Sequence, residues 1–113
     1  MALRINQRDE GPVTILDLSG KLAGEAGETL ADRIDDLVGA GRSKLILNLG
    51  GVSVIDSAAL GGLLSKRAGV VNAGGQLKLL NLTERVQDLI VTTKLEMVFD
   101  TFVSEAEALQ SFP

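Results

Sequence analysis

The sequence predicts an α/β fold in which a mixed, largely parallel central sheet is covered by helices. Two observations predict it. Short apolar runs alternate along the chain with segments of helical periodicity, and the first two runs lie close enough together to form a hairpin. Strands that alternate with helices are typical of parallel sheets with right-handed crossovers. We expect the order β-β-α-β-α-β-α-(β)-α, as a sandwich, in a single domain spanning residues 1–113.

The first part of the chain contains the predicted hairpin and helix. Residues 3–8 and 13–18 alternate apolar with polar side chains on either side of turn residues, which predicts two antiparallel strands. Residues 19–24 are small and predict a loop. A helix over Glu25–Gly39 follows, because its apolar residues recur at helical spacing and a Gly-Ala-Gly segment ends it.

The second part of the chain repeats the strand and helix pattern. Residues 44–49 form an almost continuous apolar run, as expected for a central strand covered on both faces. The remaining predicted elements are a helix from Ser57 to about Asn72, a strand over residues 76–82, a helix that Thr83 caps, a possible edge strand over residues 97–99 and a helix over residues 104–109.

Composition excludes several classes of function. The 113 residues contain no cysteine and no histidine, which rules out disulfides and removes the usual side chains of zinc sites and hydrolases. We therefore expect neither an enzyme nor a bound cofactor. A net charge of −4 with scattered basic residues argues against nucleic acid as a partner. No apolar run approaches the roughly 18 residues of a membrane span, so we expect a soluble, cytoplasmic protein.

The segment of most functional interest begins at Ser57, where a helix should start. Serine can cap a helix as its first residue, and once phosphorylated it becomes a doubly charged anion. A helical wheel places one set of apolar side chains toward the sheet: Leu60, Leu63, Leu64, Ala68 and Val71. The opposite strip carries only small residues: Ala58, Gly62, Ser65 and Gly69.

This strip of small residues has two interpretations. Another protein's backbone could approach it closely, which would explain glycines that each destabilise a helix by roughly 0.5 to 1 kcal/mol. Alternatively, Gly61 allows close packing on the sheet, the other glycines lie on the surface by accident, and Ser57 is only a cap. Residue spacing alone does not separate the two.

The sequence resembles the STAS domain family, the family of bacterial anti-sigma factor antagonists. The resemblance is carried by residues 45–49, by Val-Ser-Val-Ile-Asp-Ser at 52–57 and by the leucines and glycine of residues 60–64. It extends over nearly the whole chain, from the strand and loop near Gly20 to the acidic and alanine-rich end at residues 106–109.

The resemblance implies a partner-switching protein. Such a protein binds, when unphosphorylated, an anti-sigma factor that is also a serine kinase. The kinase phosphorylates the serine matching Ser57, the complex dissociates, and a serine phosphatase restores the first state. ATP is bound by the kinase. The partner surface implied here comprises Asp56, Ala58, Gly62, Ser65, Lys66, Gly20, Lys21 and Ala23.

Two departures from the family pattern leave alternatives open. Ala58 and Ala59 stand where members commonly have serine and glycine, and Lys21 and Ala23 stand where acids are usual, which shifts the expected charge of the partner face toward basic. Lys21 could be a partner contact or only an exposed lysine. Lys66 should be exposed, free to extend over apolar surface or to pair with a partner carboxylate, whereas Arg67 should lay its stem over the edge of the core.

The departures favour a second hypothesis, a constitutive STAS scaffold. This would be a subunit of a sensory complex or an accessory of a lipid-transport system, in which Ser57 only caps its helix. A third hypothesis is a small-molecule or nucleotide sensor that uses the carboxyl ends of the parallel strands. Because no glycine-rich phosphate loop is present, the sequence gives the sensor little support.

Overall fold

The computed structural model describes residues 2–113 and confirms the α/β fold. The element order agrees with the expected one, including the hairpin at the start and the short strand before the last helix. The elements are β1 (Arg4–Glu10), β2 (Val13–Leu22), α1 (Glu25–Gly39), β3 (Lys44–Ile55), α2 (Ser57–Asn72), β4 (Gln76–Leu80), α3 (Glu84–Thr92), β5 (Asp100–Phe102) and α4 (Glu105–Gln110).

The five strands form one sheet in the order β1-β2-β3-β4-β5. β1 is antiparallel to β2, and every other neighbouring pair is parallel. Leu47 of β3, the central strand of the sheet, lies beside Leu16 of β2 and Leu79 of β4, and all three are fully shielded from solvent. The parallel order brings the carboxyl ends of β2 and β3 to the same edge of the sheet, so the helices that follow them start side by side.

Helices cover both faces of this sheet. The larger core lies between the sheet and helices α1, α2 and α3, and includes Leu30, Leu60 and Ile90. A smaller core on the opposite face includes Ile46 and Ala108, and it lies beneath α4. No helix within residues 2–113 is long and apolar enough to cross a membrane.

Some predicted boundaries were wrong. β2 continues through Leu22, so most of the predicted loop at residues 19–24 is strand, and β4 ends at Leu80 rather than at residue 82. The predicted edge strand at residues 97–99 is a turn, in which the backbone N–H groups of Val98 and Phe99 donate to the Leu95 carbonyl. The strand is Asp100–Phe102, because Phe99 is used to anchor this turn in the core.

The predicted buried face of α2 was correct only in part. Leu60 and Leu63 are buried as expected, but Val71 is 47% exposed. Ala59 and Val70 are buried instead, because α2 packs against α1 as well as against the sheet. The prediction that Gly61 permits close packing on the sheet was wrong, since a Cβ atom there would meet nothing within 4 Å.

Candidate partner-binding site

Ser57 lies on the surface at the carboxyl end of the parallel strands. It is the first residue of α2 and follows β3 after a single intervening residue, Asp56. The Ser57 side chain is exposed, and among residues 2–113 no hydrogen-bond partner engages its hydroxyl. The hydroxyl is therefore open to solvent at a helix N-terminus.

The cap of α2 is Asp56, so the alternative interpretation in which Ser57 caps this helix was wrong. Asp56 has extended backbone angles, and its Oδ1 accepts a hydrogen bond of 2.7 Å from the backbone N–H of Ala59. Aspartate and serine are both good caps, so the sequence alone did not decide which of these two adjacent residues caps the helix. The strand ends at Ile55, which leaves Asp56 in the capping position.

Asp56 also holds the neighbouring loop. Its Oδ2 accepts a second hydrogen bond, 3.1 Å long, from the backbone N–H of Gly24 just before α1. The bond from Ala59, and then the bond from Gly24, lower the pKa of Asp56 below its ordinary value. The carboxylate thus fixes the starts of α1 and α2 relative to each other.

A narrow groove of about 210 Å³ separates the starts of these two helices. Gly27 of α1 faces Ala59 of α2 here, and a Cβ atom on Gly27 would lie 3.4 Å from Ala59. Most of the residues along the groove are glycine or alanine, and Glu28 is the charged one: Gly24, Gly27, Glu28, Ala31, Ala58, Ala59 and Gly62. Sequence reasoning missed the α1 side of this groove, although the parallel order of β2 and β3 predicts that α1 starts beside α2.

The α2 residues predicted to bind a partner do not all share one surface. Ala58 and Ser65 are exposed and Gly62 is half-buried beside the groove. Lys66 was expected to be free for a partner, but its ammonium group lies 2.8 Å from the carboxylate of Asp35 on α1. Arg67 is half-buried, which agrees with a stem laid over the edge of the core.

The partner-binding residues predicted at the end of β2 also do not share one surface. Gly20 is buried inside β2 with a φ of 102°, and a Cβ atom there would lie 2.4 Å from the Ala2 carbonyl oxygen. It was wrong to place Gly20 on an accessible partner surface. Lys21 is exposed, and Lys21 and Ala23 line a second groove of about 490 Å³ together with Glu25.

Acidic side chains outnumber basic ones around Ser57 and the two grooves. Lys21 is the basic residue lining these two grooves, whereas Glu25 and Glu28 line them from the first turn of α1, and Asp56 lies beside Ser57. The shift toward basic charge expected from Lys21 is a comparison with the family pattern, and it did not consider the two glutamates. Within residues 2–113, no group of three or more acidic side chains is arranged to hold a metal ion.

Comparison with known proteins places this geometry in a family. The sequence profile of the STAS domain matches residues 4–108. The chain belongs to the STAS domain family. A Thermotoga neapolitana protein assigned as an anti-sigma factor antagonist is 30% identical over 76 residues, which is 67% of each chain.

Two solved structures share the STAS fold. The crystal structure of a Thermotoga maritima protein assigned as an anti-sigma factor antagonist has 23% identity and a TM-score of 0.89, over 96% of this chain and 93% of that one. The Bacillus cell fate determinant SpoIIAA in its phosphorylated form has 21% identity and a TM-score of 0.73, over 96% of this chain and 97% of that one. At these identities the likeness establishes the fold.

Proposed function

We propose that this STAS domain is an anti-sigma factor antagonist controlled by phosphorylation of Ser57. In the unmodified state it binds an anti-sigma factor that is also a serine kinase, and phosphorylation of Ser57 ends the complex. A serine phosphatase restores the binding state. The Thermotoga relative assigned as an anti-sigma factor antagonist supports this role, which is regulatory rather than catalytic.

The observation that carries the proposal is that Asp56 caps α2, whereas the Ser57 side chain is exposed. Asp56 satisfies the N–H of Ala59, so α2 does not depend on the serine hydroxyl for its cap. Ser57 is exposed and can enter a kinase active site without unwinding the helix. The scaffold alternative explains Ser57 only as the cap of the helix, and Asp56 is the cap instead.

Phosphorylation would change the surface far more than the fold. A phosphate adds about −1.5 to −2 charges at pH 7, between Asp56 and Ala58, and Ala58 lines the same groove as Glu28 of the facing helix. A partner that docks here would have to strip water from this dianion, which costs several kcal/mol unless a cation compensates. The positive end of α2 stabilises the phosphate within the isolated domain. The switch is therefore local electrostatics on a fixed scaffold.

The partner surface we propose centres on Ser57 and the groove between α1 and α2. It includes Asp56, Ala58, Gly62 and Ser65, and it reaches Lys21 and Ala23 across the start of α1. The small side chains along the groove allow a partner residue to approach the helix backbones closely. Gly20 and Lys66 are left out, the first because it is buried and the second because Asp35 holds it.

Phosphorylation can be tested by intact-mass analysis. The protein is incubated with ATP and the anti-sigma factor kinase encoded nearest to its own gene, as wild type, Ser57→Ala and Ser65→Ala. We expect one phosphate on wild type and on Ser65→Ala, and none on Ser57→Ala. A phosphate retained by Ser57→Ala, or absent from wild type, would count against the proposal.

A further inference from the structure

One edge of the sheet is open and carries an unusual arrangement of charge. β1 is the outermost strand, and among the strands described within residues 2–113 it pairs only with β2. Its outer side therefore presents unpaired backbone N–H and C=O groups over a strand of 7 residues. Such an edge is a template for another strand unless its side chains prevent pairing.

The charges at the two ends of β1 are opposite and symmetrically placed. Arg4 begins the strand, Glu10 ends it, and each is three residues from Gln7 at the centre. Both ends are exposed. Among residues 2–113 Arg4 makes no ion pair, and Glu10 reaches only the guanidinium of Arg8, over 3.8 Å.

We infer that β1 pairs antiparallel with β1 of a second copy of this chain, with Gln7 opposite Gln7. A two-fold axis normal to the sheet then places Arg4 of each copy opposite Glu10 of the other. Opposite charges facing each other across an antiparallel pair stabilise it, and like charges destabilise it. The order of charges along β1 therefore complements that of a second, antiparallel β1.

Other registers of the same pairing are less favourable. A two-fold axis normal to the sheet keeps each side chain on its own face, so only shifts that pair residues of the same face are allowed. If the pairing is centred on Asn6 instead of Gln7, Arg4 of each copy faces Arg8 of the other, so two pairs of like charges form. If it is centred on Arg8, the two Arg8 side chains face each other. The register centred on Gln7 is the one that pairs all seven residues without like charges opposite each other.

This pairing leaves the proposed phosphorylation site accessible. Ser57 follows β3, which is separated from the β1 edge by β2. The assembly would be a continuous sheet of ten strands, twice the five of one copy, with α1, α2 and α3 of both copies on the same side. Each copy then carries its own Ser57 surface, and the inference does not depend on the proposed function.

Sedimentation velocity on the full chain tests the inference. Wild type, Arg4→Glu, Glu10→Arg and the double charge swap R4E/E10R are compared from about 5 to 500 µM, a range suited to small transient interfaces. Arg85→Glu, at an exposed residue of α3, is the control for altered net charge. Far-UV circular dichroism checks that each variant is folded.

Wild type and Arg85→Glu are expected to dimerise as concentration rises. Each single reversal converts two attractive pairs into repulsive ones, and should weaken the dimer at least about tenfold (about 1.4 kcal/mol). The double swap restores the pairs and should return the dissociation constant to within about threefold of wild type. A wild-type monomer at every concentration, a dimer indifferent to the single reversals, or a double swap that remains monomeric would each overturn the inference.

Discussion

The carboxylate of Asp56 accepts a hydrogen bond from the backbone N–H of Gly24, 32 positions earlier in the chain, over 3.1 Å. The same side chain caps α2 through Ala59. One residue therefore joins the starts of two helices at the edge of the sheet where Ser57 is exposed. The switch proposed here depends on this rigid connection, because a phosphate can change a surface selectively only where the backbone beneath it is held.

Replacing Asp56 should destabilise the domain measurably. Asp56→Ala removes the cap and the bond to Gly24, and we expect the free energy of unfolding to fall by about 1 to 2 kcal/mol. Ser57→Ala, which removes no hydrogen bond to any of residues 2–113, should change it by less than about 0.5 kcal/mol. Urea unfolding followed by circular dichroism at pH 7 measures both. Equal losses from the two variants would show that the capping assignment is wrong.

The contribution of Asp56 should also depend on pH in a defined direction. Its pKa is lowered in the folded state by the N–H groups of Ala59 and Gly24. Its stabilisation is therefore complete above the unfolded carboxyl pKa of about 4, and is lost as the pH falls through the lowered folded value. The difference in unfolding free energy between wild type and Asp56→Asn should be constant from pH 7 to about pH 5. At lower pH, wild type should lose stability relative to Asp56→Asn. A difference that does not change with pH would exclude this linkage.

Two glycines should respond in opposite directions to alanine. Gly61 has open space where a Cβ atom would stand, inside a helix, so Gly61→Ala should stabilise the domain by about 0.5 to 1 kcal/mol. Gly20 has a φ of 102°, and a Cβ atom there would clash with the Ala2 carbonyl oxygen, so Gly20→Ala should destabilise the domain by about 1 to 3 kcal/mol. Thermal and urea unfolding compare the pair. Destabilisation by Gly61→Ala would mean that α2 packs more closely than the structure describes.

Lys78 provides a test of the smaller core. This lysine on β4 is 5% exposed, and its ammonium lies 3.4 Å from the Asp100 carboxylate and 5.0 Å from the centre of the Phe112 ring. Lys78→Ala removes the buried stem and should lower the free energy of unfolding by about 2 kcal/mol or more. Lys78→Met keeps the stem and should change it by less than about 1.5 kcal/mol. Equal losses would show that the charge, rather than the packing, stabilises this face.

The sequence predicted the elements that depend on local patterns. The helices Glu25–Gly39 and Ser57–Asn72 start and end as expected, and a local glycine-containing segment marks the end of each. The strand expected at residues 97–99 failed because an apolar run can anchor a turn as well as form a strand. Phe99 packs into the core, whereas Met97 is 91% exposed.

The position of the site could be predicted from the sequence, but the contacts that its residues make with α1 could not. Ser57 and Asp56 follow directly from the strand-to-helix junction, but the choice of cap depended on a one-residue boundary. The pairing of Lys66 with Asp35 and the packing of Gly27 against Ala59 join residues about thirty positions apart, so they depend on how α1 and α2 pack together. No local pattern encodes these contacts.

The most direct test of the switch is calorimetric titration of the anti-sigma factor kinase, without ATP, into the protein with and without phosphoserine at position 57. Placing a phosphate in the interface should weaken binding by about 30-fold or more (about 2 kcal/mol), while the far-UV circular dichroism spectrum of the protein stays the same. Equal dissociation constants for the two forms would contradict the account.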